Sequence, residues 1–402
     1  MKRGIINNLY VVGLLWLLAC LTPLKAQLRP TTPSDSIEVS LLTCTPGPVV
    51  YSMYGHSAIR VHNFTTNLDL VFNYGVFDYN ENNFVFKFVK GETDYILSAE
   101  YAHGFFERYA EEKAGILEQV LNLTSEECNI INVLLMENLQ PANCTYRYNW
   151  LYDNCTTRAR DMIERAIQGE VKYLSADPQL TARSILHQFN KVDRWTEFGE
   201  NLILGYELDR PLTKRQQMFI PSIYAADVDS AIIVRNDGRS IPLVRETRYP
   251  LKQTLVINPS PVDGPMLILV FLFVIMAIVG FFEIRRVKTF KWVDVTLSVL
   301  VGLAGLLVSF LYFFSEHAGV NTNILIILFN PLAFAFIPFL IRRRTQLLSY
   351  AILAEFVLFV IAYIAVRQYI DLAILPLALT LLLRVVVNIS VNHKKSLSLQ
   401  TN

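Results

Sequence analysis

MLILVFLFVIMAIVGFF, residues 266–282, is an unbroken apolar run long enough for a helix to cross a hydrocarbon layer of about 30 Å, and it decides the architecture. Runs at 293–314, 324–341, 347–366 and 371–390 repeat the pattern, so a bundle of about five transmembrane helices is expected in the C-terminal third. Basic residues collect in alternate connections. Arg285, Arg286, Lys288 and Lys291 follow the first run, Arg342 to Arg344 the third, and His393 to Lys395 the fifth. The connection after the second run has none, and the one after the fourth has only Arg367. Positive residues stay on the cytoplasmic side, which puts residues 27–262 across the membrane from them, periplasmic or extracellular.

The other apolar concentration is at the start. Lys2 and Arg3 precede an apolar stretch from Leu9 to Leu21, and Leu24-Lys25-Ala26 offers a cleavage site, so residues 1–26 read as a signal peptide. The expected division is a signal peptide at 1–26, an exported domain at 27–262, a helix bundle at 263–395 and a cytoplasmic tail at 396–402. These two ends explain a mean hydropathy of +0.34, too high for a soluble enzyme. A net charge of +1 and the lack of any nucleic-acid signature argue against a polyanionic partner. Cys44, Cys128, Cys144 and Cys155 survive signal removal in an oxidising compartment, and their spacing does not fix which of them pair.

Within the exported domain, residues 27–36 form a polar, Pro-containing leader. Ile37 to Thr43, Ser57 to Val61 and Leu68 to Tyr74 carry β-branched or alternating patterns, and a further strand is expected at Phe84 to Val89. Thr124-Ser125-Glu126-Glu127 is a capping box opening a helix to about Leu139. Ala159, Met162, Ile163, Ala166 and Ile167 recur at helical spacing, so a second helix begins near Cys155. Helices are also read at Thr181 to Lys191 and Met218 to Val228, with β-hairpins from Ala231 to Ile257 around Asn236-Asp237-Gly238. The class is α+β, followed by an all-α membrane bundle.

A thiol at a helix N-terminus is favoured as thiolate by unpaired N–H groups and the helix dipole, and Cys155 stands at such a position. The residue types allow equally that Cys155 is a buried or disulfide-bonded structural cysteine. Of the histidines in the domain, His56 follows Gly55 and faces away from Ile59 and Val61 on its strand. His62 shares that face about 20 Å along, so only one of the two can serve a given thiol. His103 and His187 read as surface or packing residues. An acceptor must fix the imidazole; Asn73 and Asp78 are both placed for this, and both also fit ordinary hairpin positions. Tyr54 is a possible oxyanion donor. No Cys and His cluster has metal-ligand spacing, so neither metal nor other cofactor is expected. Glu355 and Asn330 lie inside apolar runs, where polar groups point to function, although Pro331 gives Asn330 a simpler role at a helix break.

Three stretches together, Tyr-Gly-His-Ser-Ala-Ile-Arg-Val (54–61), Phe-Asn-Tyr-Gly-Val-Phe-Asp-Tyr (72–79) and Asp-Asn-Cys-Thr-Thr-Arg-Ala-Arg-Asp (153–161), resemble the bacterial lipoprotein N-acyltransferase family Lnb. Arg210-Pro211-Leu212-Thr213 through Met218-Phe219-Ile220-Pro221 resembles it too. The resemblance implies a domain similar to circularly permuted papain-like folds, a group that includes lecithin:retinol acyltransferase. It makes Cys155 the nucleophile and His56 the base, with Asn73 in the orienting position that some relatives fill with a second His. Asn154, Arg158 and Glu355 are assigned to substrate binding. The implied reaction carries an acyl chain from a phospholipid, through a Cys155 thioester, to the α-amine of a diacylglyceryl-cysteine on a lipoprotein. The rival readings are a periplasmic cysteine amidase or peptidase acting on cell-wall peptide, and a non-enzymatic membrane receptor.

Overall fold

The computed structural model describes residues 37–49, 52–77, 82–342 and 345–400. The expected signal peptide, the polar leader and Asp78 lie outside the described residues. From Ile37 onward the chain forms one compact unit.

Strands β1 (Ile37–Cys44), β2 (His56–Asn63) and β3 (Leu68–Val76) form an antiparallel meander. After helix α1 (Phe84–Lys90) come β4 (Asp94–Tyr101), α2 (Ala102–Glu111), β5 (Ile116–Leu121), α3 (Ser125–Asn138), β6 (Thr145–Arg147) and α4 (Cys155–Ala166). Next are β7 (Glu170–Lys172), α5 (Ala182–Asn190), α6 (Arg194–Ile203), α7 (Lys214–Gln217), α8 (Pro221–Ser230), β8 (Ile232–Val234), β9 (Ser240–Pro242) and β10 (Val244–Leu251). Seven strands pair in the order β10-β5-β1-β2-β3-β4-β6, all antiparallel, and β7, β8 and β9 make a small separate sheet.

Alternation along the strands gives the large sheet two apolar faces. Val39, Leu41, Ile59, Val61, Phe72 and Tyr74 pack on Ile131 and Leu135 of α3, Ala159 and Ile163 of α4, and Tyr224 and Val228 of α8. Leu42, Cys44, Ala58 and Val71 face the other way, onto Ala102 and Phe105 of α2. The helix begins at Thr124 as its capping box predicts, with the Thr124 side chain on the Glu127 N–H and the Glu127 carboxylate on the Thr124 N–H. Phe84–Lys90, however, is a helix and not a strand. Its alternating Phe and Val mimic a strand, but left-handed backbone at Asn83 and Gly91 bounds a seven-residue helical segment.

The C-terminal bundle consists of α9 (Gly264–Arg286), α10 (Lys291–Phe314), α11 (Leu332–Ile341), α12 (Thr345–Val366) and α13 (Ile374–Gln400). The third apolar run is not one helix: a 3-10 turn at Ile324–Ile327 precedes α11, and the break falls at Asn330-Pro331. Near the basic end of the bundle Arg384 binds Glu283 at 2.5 Å and Asp294 at 2.7 Å, tying α13 to α9 and α10.

The domain is seated on the opposite end. Gly205 N–H donates to Gly319 O at 2.8 Å, Asn323 Nδ2 to Leu202 O at 2.8 Å, and Asn201 Nδ2 to Asp371 Oδ2 at 3.0 Å. Leu204, Leu208 and Phe219 share an apolar cluster with Leu311, Ala318 and Val320. Those contacts fall in the two connections that the charge pattern assigns to the side away from the cytoplasm.

Candidate active site

The segment before Cys155 is a tight loop. Asn149 and Asp153 bridge each other through their backbones, and the Asn149 side chain accepts the N–H groups of Leu151 and Tyr152. Asn154 caps α4: its Oδ1 accepts from the N–H groups of Thr156 and Thr157 at 2.9 and 3.0 Å, and Thr157 Oγ1 accepts the Asn154 N–H at 2.8 Å. Cys155 is therefore the first residue of the helix. Its own N–H is one of the first-turn donors, and the Asn154 side chain does not reach it.

His56 opens β2. Gly55 before it has φ +79°, and a Cβ there would meet Cys44 O at 2.5 Å, so only glycine lets the strand start here. His56 and Cys155 are close enough for each to shift the other's titration, and His56 Nε2 lies 3.2 Å from Asn73 Oδ1 on β3. The Asn73 Nδ2 donates to Glu100 Oε1 at 2.9 Å, and Arg108 of α2 holds both Glu100 oxygens at 2.8 and 3.2 Å. A carboxylate only accepts, so Glu100 fixes the Asn73 amide with its oxygen toward His56. His56 Nε2 then carries a proton, and Nδ1 is the nitrogen left for Cys155.

Burial pushes the Cys155 thiol up, but the His56 charge and hydrogen bond, the Ser57 N–H and the Thr156 hydroxyl outweigh it and bring it down to about 7. Burial pushes His56 down, yet the Cys155 charge and hydrogen bond and the Asn73 contact leave its pKa above the ordinary value. The two shifts run in the direction that favours a thiolate beside an imidazolium, the ionisation that makes a thiol reactive. Among the described residues, Cys44, Cys144 and Cys155 are not disulfide-bonded.

The remaining expected site residues have other duties. Tyr54 Oη lies 2.8 Å from Glu200 Oε1 and 2.9 Å from Asn190 Oδ1, both acceptors, so its single proton is committed there and not to an oxyanion. Asn154 was assigned to substrate, but its amide is fully occupied, by the cap on one side and by Trp150 O and Phe219 O on the other. Arg158 grips Asp153 through two bonds of 2.6 and 2.7 Å and lies 3.7 Å above the Tyr146 ring, closing the loop before Cys155 instead of facing a ligand. Glu355 lines a cavity of about 70 Å³ among α10, α11, α12 and α13, bounded by bundle residues alone, so the structure does not bring it to Cys155. His62 packs at a tilt against Phe64, His103 pairs with Glu107, and His187 bonds Asn201; none of them joins the site.

Glu100 and Arg108 escaped the sequence reading. They stand eight positions apart across the β4–α2 junction, and only the pairing of β4 with β3 brings them to Asn73, which no local pattern announces.

Residues 25–188 match the family described as Lnb N-terminal periplasmic domain, and residues 258–396 match Lnb transmembrane domain. The two matches lie in the family's order and together cover roughly three quarters of the chain. The chain belongs to the Lnb family. This is the family whose motifs the sequence resembles. Membership supports a lipoprotein N-acyltransferase-type role, and with the five apolar helices it makes this a multi-pass inner-membrane protein whose N-terminal domain is periplasmic. No curated protein and no solved structure matches the chain significantly.

Proposed function

We propose that this Lnb-family protein transfers an acyl chain from a phospholipid to the α-amine of an N-terminal diacylglyceryl-cysteine, with Cys155 as nucleophile, His56 as acid and base, and Asn73 as the residue orienting His56. The observation that carries the reading is the Cys155–His56–Asn73 alignment at the start of α4. A strand-borne His acting on a Cys at a helix N-terminus is the arrangement expected of a permuted papain-like thiol enzyme.

The Cys155 thiolate attacks the ester carbonyl, and the first-turn N–H of Cys155 holds the oxyanion. The ester C–O bond breaks, the His56 imidazolium protonates the departing lysophospholipid oxygen, and a thioester remains. The lipoprotein amine then attacks the thioester, neutral His56 takes its proton, and the Cys155 thiolate leaves as the amide forms. A domain seated on its own membrane bundle meets both substrates without either leaving the bilayer.

The test is incubation of the detergent-solubilised protein with phospholipid bearing a labelled acyl chain and a synthetic diacylglyceryl-cysteinyl peptide. Labelled, triacylated peptide that depends on Cys155 is the expected product. Labelled free fatty acid with no acylated peptide would refute transfer and favour a hydrolase.

A further inference from the structure

Helix α1 carries five apolar residues and two lysines, yet none of its seven residues is buried in the protein. Val85 is 73% exposed, Phe86 57% and Phe88 43%. A soluble domain rarely leaves such a cluster uncovered. Its covering is indicated by where the helix is fastened. Ser315 Oγ donates to Val89 O at 2.8 Å, Glu316 N–H to Lys90 O at 2.7 Å, and His317 Nε2 lies 2.6 Å from Phe88 O, so α1 is held by the connection that leaves α10. The Phe86 ring then lies 5.9 Å from Phe310, about one helical turn inside the membrane from the end of α10 at Phe314. Phe313 and Phe314, at that same rim, are exposed as well.

From α1 an aromatic row runs inward. Phe84 stacks on Phe77 at 5.4 Å, Phe77 on Tyr95 at 4.8 Å, and Tyr95 on Tyr148 at 4.2 Å. Tyr148 packs in the same core cluster as Cys155 and is close enough to feel its charge.

We propose that α1 is an interfacial helix whose Val85, Phe86 and Phe88 lie in the acyl region of the periplasmic leaflet, and that the row Phe84, Phe77, Tyr95, Tyr148 is the surface along which a lipid acyl chain reaches Cys155. Aromatic and aliphatic side chains on one such helix, with lysines at headgroup level, match the boundary between acyl chains and headgroups. The leaflet contact stands on geometry alone; the delivery route rests on the acyltransferase reading.

The full-length protein is placed in nanodiscs containing a phospholipid with a diazirine at the end of one acyl chain, irradiated, and mapped by peptide mass. Adducts on residues 85–88, at a level like that of Phe313 and Phe314 and above that of exposed Tyr249 on β10, are expected. Adducts confined to the bundle would overturn the leaflet contact, whether or not the protein proves to be an acyltransferase. For the route, Phe86→Glu is compared with wild type for acylation of Cys155 by bilayer phospholipid and by a water-soluble acetyl thioester. The ratio of the two rates should fall by at least about tenfold, because the aromatic burial that favours the lipid side is lost. An unchanged ratio would overturn the route, and failure of both donors with the wild type would refute the acyltransferase reading while the adduct map still stands.

Discussion

Replacing His56 with Gln removes the imidazolium and keeps a polar side chain at the start of β2. The positive charge and hydrogen bond of His56 are the main influences lowering the Cys155 thiol to about 7, against a burial that acts upward. Without them the thiol returns to its ordinary 9.0 or above. At pH 7 the thiolate fraction falls from about one half to about one hundredth, a loss of roughly fiftyfold. A more basic thiolate is also more nucleophilic, by about eightfold over two pK units, so the net slowing of alkylation at pH 7 is only about sixfold. At pH 10 both proteins are largely ionised, and the variant should react about sevenfold faster. The assay is the rate of iodoacetamide modification of the Cys155 peptide from pH 5 to 11, with the partly exposed Cys144 as internal control. Crossing curves with an inflection near 7 in the wild type and at 9 or above in the variant are expected. A variant inflection still near 7, or a wild-type inflection near 9, would show that His56 does not ionise Cys155.

Two other substitutions separate chemistry from architecture. Tyr54→Phe should lower thermal stability by an amount on the order of 1 kcal/mol, through the lost bonds to Glu200 and Asn190, and leave Cys155 acylation within about twofold; a hundredfold loss would restore Tyr54 as an oxyanion donor. Arg384→Leu leaves Glu283 and Asp294 buried without their cation and should destabilise the bundle by about 3–5 kcal/mol in detergent unfolding, whereas Arg384→Met combined with Glu283→Gln and Asp294→Asn should recover most of it.

The sequence made the site legible wherever a local signal carried it. Cys155 opens a helix because Asn154 and Thr157 form a capping pair and Ala159, Met162 and Ile163 supply the apolar stripe, all within residues 154–163. The bundle was equally legible, since hydrocarbon thickness sets span length and basic residues set orientation. Other features were not. Phe84–Lys90 alternates large apolar residues as a strand does, and it folds as a helix because the connection after α10 fastens it there, a contact more than 200 positions away in sequence. The partners of Tyr54 lie 136 and 146 positions away and Phe219 lies 65 from Asn154, so no local pattern announced them, whereas Arg158 has Asp153 five positions away, and there only the folded loop shows that its bonds are already used.

The central claim is that Cys155 carries the acyl chain. The most direct measurement is the intact mass of the detergent-solubilised protein after incubation with phospholipid, for the wild type and Cys155→Ala. The account predicts a gain of one acyl chain, released by hydroxylamine and absent from the variant. An adduct of the same size on Cys155→Ala, or no adduct on a wild type whose Cys155 remains a free thiol, would contradict it.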